Sequence, residues 1–418
     1  MKSFEKVIGY ESVKNELYQI IDMFKNKEMY ERIGAKLPKG VLIYGAPGLG
    51  KTMIAEALIA ECNVETYVVK NNSYDRELIK EVNNAFALAA KAEKAIVFLD
   101  DLDKYCETSE EDVDSRVFVS IQADIDSVKD KDILIVATVN NIDKLPQSLR
   151  RNGRFDRKLY LKAPSNEDAC KIIEHYLKVK KIDANLNVED VAKMINYTSC
   201  ADLETILNES AILATFARKD AIDIKDIVKA YVRSQYHAPN EEFECSHDVI
   251  AKTALHEAGH VVIAESLKKG SVGFVTIQAH DVDEMKGFTH ICERFKRRPE
   301  NILISLAGKV ACEQFYEGRC ASGCYRDLSQ AIGLISDGIR HSGTNGVGML
   351  NFSEFKNAQD EAATIAEVER YLFIVKDILL KNKEFLFKVA SELEDKKSLL
   401  YSDIKRIRNE YTIYEYCA

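Results

Sequence analysis

The sequence predicts two regions of different class: a layered α/β region with a buried parallel sheet and a small helical bundle, followed by a mainly α-helical region. Three observations carry this. Short β-branched runs with few charges recur between Gly40 and Asn140. Helical periodicity takes over from about Pro164. A polar stretch, HAPNEEFECSHD (His237–Asp248), then separates that helical part from a second one.

GVLIYG (Gly40–Gly45), ETYVVK (Glu65–Lys70), AIVFLD (Ala95–Asp100) and ILIVATVN (Ile133–Asn140) are bounded by turns and alternate with polar helical stretches. Runs of this kind are buried on both faces of a parallel sheet. From about Pro164 to Gln235, segments such as DACKIIEHYLKVKK and ADLETILNESAILATFARK predict a small helical bundle. After the polar linker the chain is again mainly helical, except near Val272–Ile291, where a hairpin or small sheet is expected. The acidic stretch ETSEEDVD (Glu107–Asp114) reads as a surface loop.

Bulk properties narrow the class of function. The 418 residues carry a formal charge of −9, which argues against general nucleic-acid binding. No apolar run approaches the roughly 18 to 20 residues that span a bilayer. The N-terminus is charged throughout and lacks the apolar core of a signal peptide. Ten scattered cysteines without a CxxC pair read as reduced thiols in a cytoplasmic protein. Cys320 and Cys324 are the one close pair; metal binding there is weighed against the plainer reading, small apolar filler.

Two motifs carry chemistry. GAPGLGKT (Gly45–Thr52) fits GxxxxGK[ST] between a strand and a helix, the setting in which backbone N–H groups turn onto phosphates. Lys51 can then reach the β- and γ-phosphates and Thr52 can ligate Mg²⁺. Asp100 and Asp101 end the next buried strand, where one acid can hold the Mg²⁺ shell and its neighbour can polarise the attacking water. Asn140 closes a further strand near the expected γ-phosphate, and SLRRNGRFDR (Ser148–Arg157) supplies arginine forks of the kind that stabilise phosphoryl-transfer charge.

The second motif is HEAGH (His256–His260) in a stretch of helical period. On a helix His256 and His260 fall one turn apart, suited to two zinc ligands, with Glu257 beside them as general base. Zinc needs a third protein ligand, and the downstream acids Glu313, Glu317 and Asp327 all qualify on residue type. Together the two motifs imply that ATP energy is coupled to peptide-bond hydrolysis.

These motifs, in this order, resemble the FtsH-type AAA+ zinc metalloproteases over nearly the whole chain. FEKVIGYESVKNEL and GAKLPKGVLIYGAPGLGKT are similar to that family's AAA+ opening, NGRFDR to its arginine-finger box, TSCADL to a lid-helix box and ALHEAGH to its protease helix. AGKVACE followed by YRDLSQA resembles the segment that delivers the third zinc ligand. The resemblance implies that nucleotide is bound by Ile8, Gly9, Gly45, Ala46, Pro47, Gly48, Leu49, Gly50, Lys51, Thr52 and Met53, with Asp100 on the metal. It implies Asp101 as catalytic acid, Asn140 as sensor, Arg151 and Arg154 as trans-acting fingers, and His256, His260 and Asp327 on zinc. GFTHI (Gly287–Ile291) resembles the edge strand along which substrate pairs. The implied domains are an AAA+ α/β part (1–163), a helical lid (164–236), a linker (237–248) and a zinc protease part (249–418). The implied assembly is a homo-hexamer acting on polypeptides.

The departures carry expectations of their own. Asp101 stands where the family has a glutamate, one methylene longer; a misplacement of that size can cost roughly a hundredfold in rate. The aromatic pore loop has no clear counterpart, with Tyr74 in YDRELIKEV nearest its place. Cys200 replaces a glycine expected near the nucleotide, and the family's membrane anchor is missing, as in a fragment of a longer protein or a soluble offshoot. These departures raise two alternatives: a zinc peptidase with a weak or gating ATPase acting on unfolded peptides, and a ring-forming chaperone with a degenerate zinc site.

Overall fold

A computed structural model describes residues 2–70, 75–106, 111–195, 199–236, 246–278, 287–293, 295–316, 324–339 and 357–417. Tyr74, the first four residues of the acidic stretch, Glu317, Cys320 and most of the linker lie outside the described residues. The chain divides into two compact units, residues 1–179 with 197–205, and residues 180–196 with 206–418.

In the first unit, five strands form one parallel sheet: β1 (Gly40–Tyr44), β2 (Glu65–Val69), β3 (Lys94–Leu99), β4 (Asp132–Val139) and β5 (Arg157–Tyr160). Their order is β2-β3-β4-β1-β5, every pair parallel. The four apolar runs became β1 to β4. The fifth strand, RKLY, is short and has a single buried side chain, so it offers no apolar run to read.

Period-two alternation divides the strand residues between two cores. Val41, Ile43, Ile96 and Phe98 face the helices Glu11–Lys25 and Lys51–Cys62, meeting Leu17, Ile20, Ile54 and Leu58. Leu42, Val97, Leu99 and Ile135 face the helices Asp75–Ala89 and Glu111–Ser127, meeting Val82, Phe86, Phe118 and Ile121. Covering both faces leaves the carboxyl ends of β1, β3 and β4 side by side, where an α/β sheet presents its ligand crevice.

The second unit is mainly helical. Its central helix, His247–Leu267, packs against helices Arg298–Phe315 and Lys383–Lys396 around Val261, Val262, Leu306, Leu386 and Val389. A three-stranded antiparallel sheet flanks it, built from β6 (Val272–Thr276), β7 (Phe288–Ile291) and β8 (Ser398–Leu400) in the order β7-β6-β8. The hairpin expected near Val272–Ile291 is β6 with β7; β8, only three residues long, was not legible beforehand. No helix among the described residues is long and apolar enough to cross a membrane.

Candidate functional site

Two groups of side chains merit the term, one in each unit. In the first, the chain leaves β1 at Tyr44, turns through Gly45–Gly50 and enters helix Lys51–Cys62. Gly48 has φ 74°, a left-handed backbone, and a Cβ there would come 2.5 Å from Ser199 Oγ. Gly45 and Leu49 are buried while Ala46, Pro47 and Gly48 are exposed, so the loop is anchored on either side of an open crest. Lys51 is buried, and its ammonium donates to Gly45 O (2.9 Å) and Ala46 O (2.8 Å). Burial pushes its pKa below the ordinary lysine value, against the pull of Asp101, Asp103 and Asp100.

The strand ends supply the acids. Asp100 Oδ1 accepts from Thr52 Oγ1 (3.0 Å) and from Thr138 Oγ1 (2.6 Å), so the loop threonine and the strand-end acid already converge. Asp101 has φ 52°; its N–H donates to Thr138 Oγ1 and its carboxylate accepts from Lys104 Nζ (2.8 Å) and Asn140 Nδ2 (3.4 Å). Asp103, 3% exposed, accepts the N–H groups of Asn140 and Asn141, which fixes the end of β4. Gly9, in a left-handed conformation, packs on Asp168, while the Tyr10 hydroxyl donates to Lys162 O and lies 3.9 Å from Cys200 Sγ. Ile8 is partly buried and Met53 is exposed, and neither makes a polar contact in this site.

The two arginines differ. Arg154 grips both oxygens of Asp126 (3.2 and 2.8 Å) and also donates to Gln122 Oε1 and Ser148 O. Arg151 is exposed, with no such partner among the described residues.

In the second unit, helix His247–Leu267 presents His256 and His260 one turn apart, their ring centroids 4.9 Å from each other. Asp327 arrives from the first turn of helix Tyr325–Asp337. His256 Nε2 lies 3.1 Å from Asp327 Oδ2, His260 Nε2 lies 3.3 Å from it, and the two Nε2 atoms are 3.2 Å apart. Tetrahedral zinc with bonds of about 2.0–2.1 Å sets its ligands roughly 3.3–3.4 Å apart, so this near-equilateral triangle fits the ion. The three form the metal-suited group among the described residues. His260 Nδ1 is 2.8 Å from Ile304 O; a carbonyl only accepts, so Nδ1 carries the proton and Nε2 keeps its lone pair for a metal. Burial alone would raise the pKa of Asp327, but the neighbouring His256 and His260 outweigh it and hold the carboxyl well below the usual carboxylate range.

Glu257 is 4% exposed, and its Oε2 accepts from Thr289 Oγ1 at 2.7 Å. Thr289 belongs to β7, the edge strand, so the candidate base is tied to the strand expected to take substrate. Close approach of backbone makes this possible. A Cβ on Gly308 would fall 2.3 Å from His256 Cε1, and one on Gly287 would fall 2.9 Å from Glu257 Oε1.

Of the three acids proposed as third ligand, the structure brings Asp327 to the histidines. Glu313 instead pairs with Lys309 on the surface. Cys324 is buried with Sγ 3.8 Å from His256 Nδ1, beside a metal ligand rather than among the donors. Sequence reasoning missed Thr138, Asp103, Thr289, Ile304 and Gly308. Thr138 had a signal, a lone hydroxyl inside a run of buried aliphatics, and Thr289 and Gly308 lie in GFTHI and AGKVACE, segments marked by the resemblance though without a role for these two residues.

Residues 41–163 match the family model described as "ATPase family associated with various cellular activities (AAA)". The chain is 28% identical to "ATP-dependent zinc metalloprotease FtsH 2" of Symbiobacterium thermophilum, over 97% of this chain and 74% of that one. It is 29% identical to "ATP-dependent zinc metalloprotease FtsH" of Sulfurovum sp., over 85% of this chain and 56% of that one. A third relative, "ATP-dependent zinc metalloprotease FtsH 2" of Thermoanaerobacter sp., is 26% identical over 98% of this chain and 83% of its own length.

Proposed function

We propose that this chain, which belongs to the FtsH-type AAA+ zinc metalloproteases, is an ATP-dependent zinc endopeptidase that unfolds and cleaves polypeptides. The observation that carries this is the donor triangle of His256, His260 and Asp327 with buried Glu257 beside it, in a chain that also holds the phosphate loop. Zinc held by that triangle supplies a Lewis acid for the peptide carbonyl and lowers the pKa of water.

The chain's own residues do the rest. Glu257 takes the proton of the attacking water on one carboxylate oxygen while Thr289 occupies the other, then returns that proton to the leaving amine. β7 is an outer strand of its sheet among the described residues, an edge that an extended peptide can join, and Thr289 links that edge to the base. In the other unit, Lys51 exchanges the Gly45 and Ala46 carbonyls for the β- and γ-phosphates of ATP. Thr52 and Asp100 would hold Mg²⁺, and Asp101 with Asn140 orients the attacking water. Arg151 reaches the nucleotide of a neighbouring copy in a homo-hexameric ring; Arg154 would first have to release Asp126. Residues 1–163, 164–236, 237–248 and 249–418 serve as nucleotide-binding part, lid, linker and protease part. The free thiols among the described residues suit a reducing, cytoplasmic compartment.

The test compares a folded and an unstructured substrate with and without ATP. Degradation of the folded one is expected to require ATP and to vanish in both Glu257→Gln and Lys51→Ala. Survival of the folded substrate despite ATP, with the unstructured peptide cut equally well without nucleotide, would sink the proposal.

A further inference from the structure

We infer that Lys104 is a positioning residue of the ATPase site, one that holds the Asp101 carboxylate back from the attacking water. The inference rests on the reading of Asp101 as the acid that orients that water. Three observations support it. Asp101 has a left-handed backbone (φ 52°), uncommon for a residue with a side chain and tolerated best by Asp and Asn. In that conformation one carboxylate oxygen is taken by Lys104 Nζ at 2.8 Å and the other faces Asn140 Nδ2 at 3.4 Å. Lys104 is also part of the field around Lys51, where Asp100, Asp101 and Asp103 act in the opposite sense.

The consequence follows from the inventory of lone pairs. A carboxylate that activates water must accept a hydrogen bond from it, and an ammonium on the same carboxylate occupies an acceptor site and holds its orientation. The shorter side chain sharpens this. An aspartate has one rotatable bond fewer than a glutamate with which to keep Lys104 and still swing toward the γ-phosphate. The pair is partly exposed, with side chains 45% and 34% accessible for Lys104 and Asp101, so it restrains rather than locks.

The experiment measures ATP turnover and, separately, binding of a fluorescent ADP analogue to the full chain. Lys104→Ala is expected to raise kcat about two- to fivefold, the range that a partly exposed ion pair is worth. KM for ATP and affinity for the ADP analogue should stay within about twofold, since the restraint acts on the water side. Lys104→Arg, which keeps the pair, should turn over like the parent. In an Asp101→Asn background, the Lys104→Ala gain should disappear. Unchanged or lower kcat in Lys104→Ala, while Asp101→Asn is strongly impaired, overturns the restraint and leaves the reading of Asp101 standing. Raised KM together with weakened ADP binding overturns it differently, making Lys104 a phosphate-binding cation. Parent-like turnover in Asp101→Asn overturns the reading of Asp101 itself.

Discussion

The metal site and the nucleotide site are built from different materials. Around His256, three packed helices and one strand fix the site: two imidazoles on one helix, a carboxylate on a second, the carbonyl that holds His260 on a third and, from β7, the hydroxyl that holds Glu257. Around Lys51, the functional groups sit on a loop, the first turn of a helix and the ends of strands, and several are engaged with each other or with backbone. Regular elements packed side by side hold distances to a few tenths of an ångström, as a metal requires. Loops can exchange partners, as a cycle of binding, hydrolysis and release requires. The protease half is therefore the more preorganised of the two.

The largest effect that can break this comparison is in the preorganised half. Glu257→Gln keeps the shape of the side chain and its contact with Thr289 while removing the base. Peptide hydrolysis should fall by about a thousandfold, within the range general-base catalysis supplies, with zinc content and ATP turnover unchanged. A loss below tenfold would show that the buried carboxylate is not the proton acceptor.

A second test contrasts the units by pH. His290 lies on β7, packed near Tyr231, and burial pushes its pKa down to about 4. Between about 4 and 6.5 the unfolded chain binds more protons at this position than the folded one, so the contribution of His290 to stability falls on acidification, by up to about 3 kcal/mol. Asp124, in the first unit, is raised by burial to about 6. There the folded state binds more protons between about 3.9 and 6, so acidification through that window adds stability. Urea unfolding of the full chain at pH 7 and pH 5, followed by probes in each unit with chelator present, should resolve opposite slopes. His290→Phe should flatten the slope in the second unit, and an unaltered slope would remove His290 as its cause.

Legibility in the sequence follows the same division. β1, β3 and β4 were readable because each is a buried run; β2 was readable from its β-branched residues although, at the edge of the sheet, it buries only Val69 rather than both faces; β5 and β8 were not readable because each is too short to bury a run. Residues of the chemistry announced themselves wherever local spacing encodes the geometry, as in Gly45–Thr52 and His256–His260. Asp327 was one of three equal acids until the fold carried its helix to the histidines. Asp103 and Thr289 were silent because what they hold, the Asn140 backbone and the Glu257 carboxylate, lies 37 and 32 residues away along the chain. The pairing of Arg154 with Asp126, across 28 residues, was invisible for the same reason.

The smallest change tests the helix packing that makes the metal site rigid. Gly308 and Gly333 both lie inside helices, where alanine is favoured over glycine by about 1 kcal/mol. A Cβ at Gly333 meets nothing within 4 Å, so Gly333→Ala should stabilise the second unit slightly and leave zinc affinity alone. A Cβ at Gly308 falls 2.3–2.5 Å from three atoms of the His256 ring. Either the helices move apart or the imidazole turns, and both displace Nε2 from the triangle. Zinc affinity in Gly308→Ala, measured by competition with a chelator, should drop about 10- to 100-fold, the loss expected when the support of a ligand is disturbed. ATP binding should not change. Equal zinc affinity in the two variants would show that His256 is held by something other than the spacing Gly308 permits, and the contrast between a rigid metal site and an exchangeable nucleotide site would lose its structural basis.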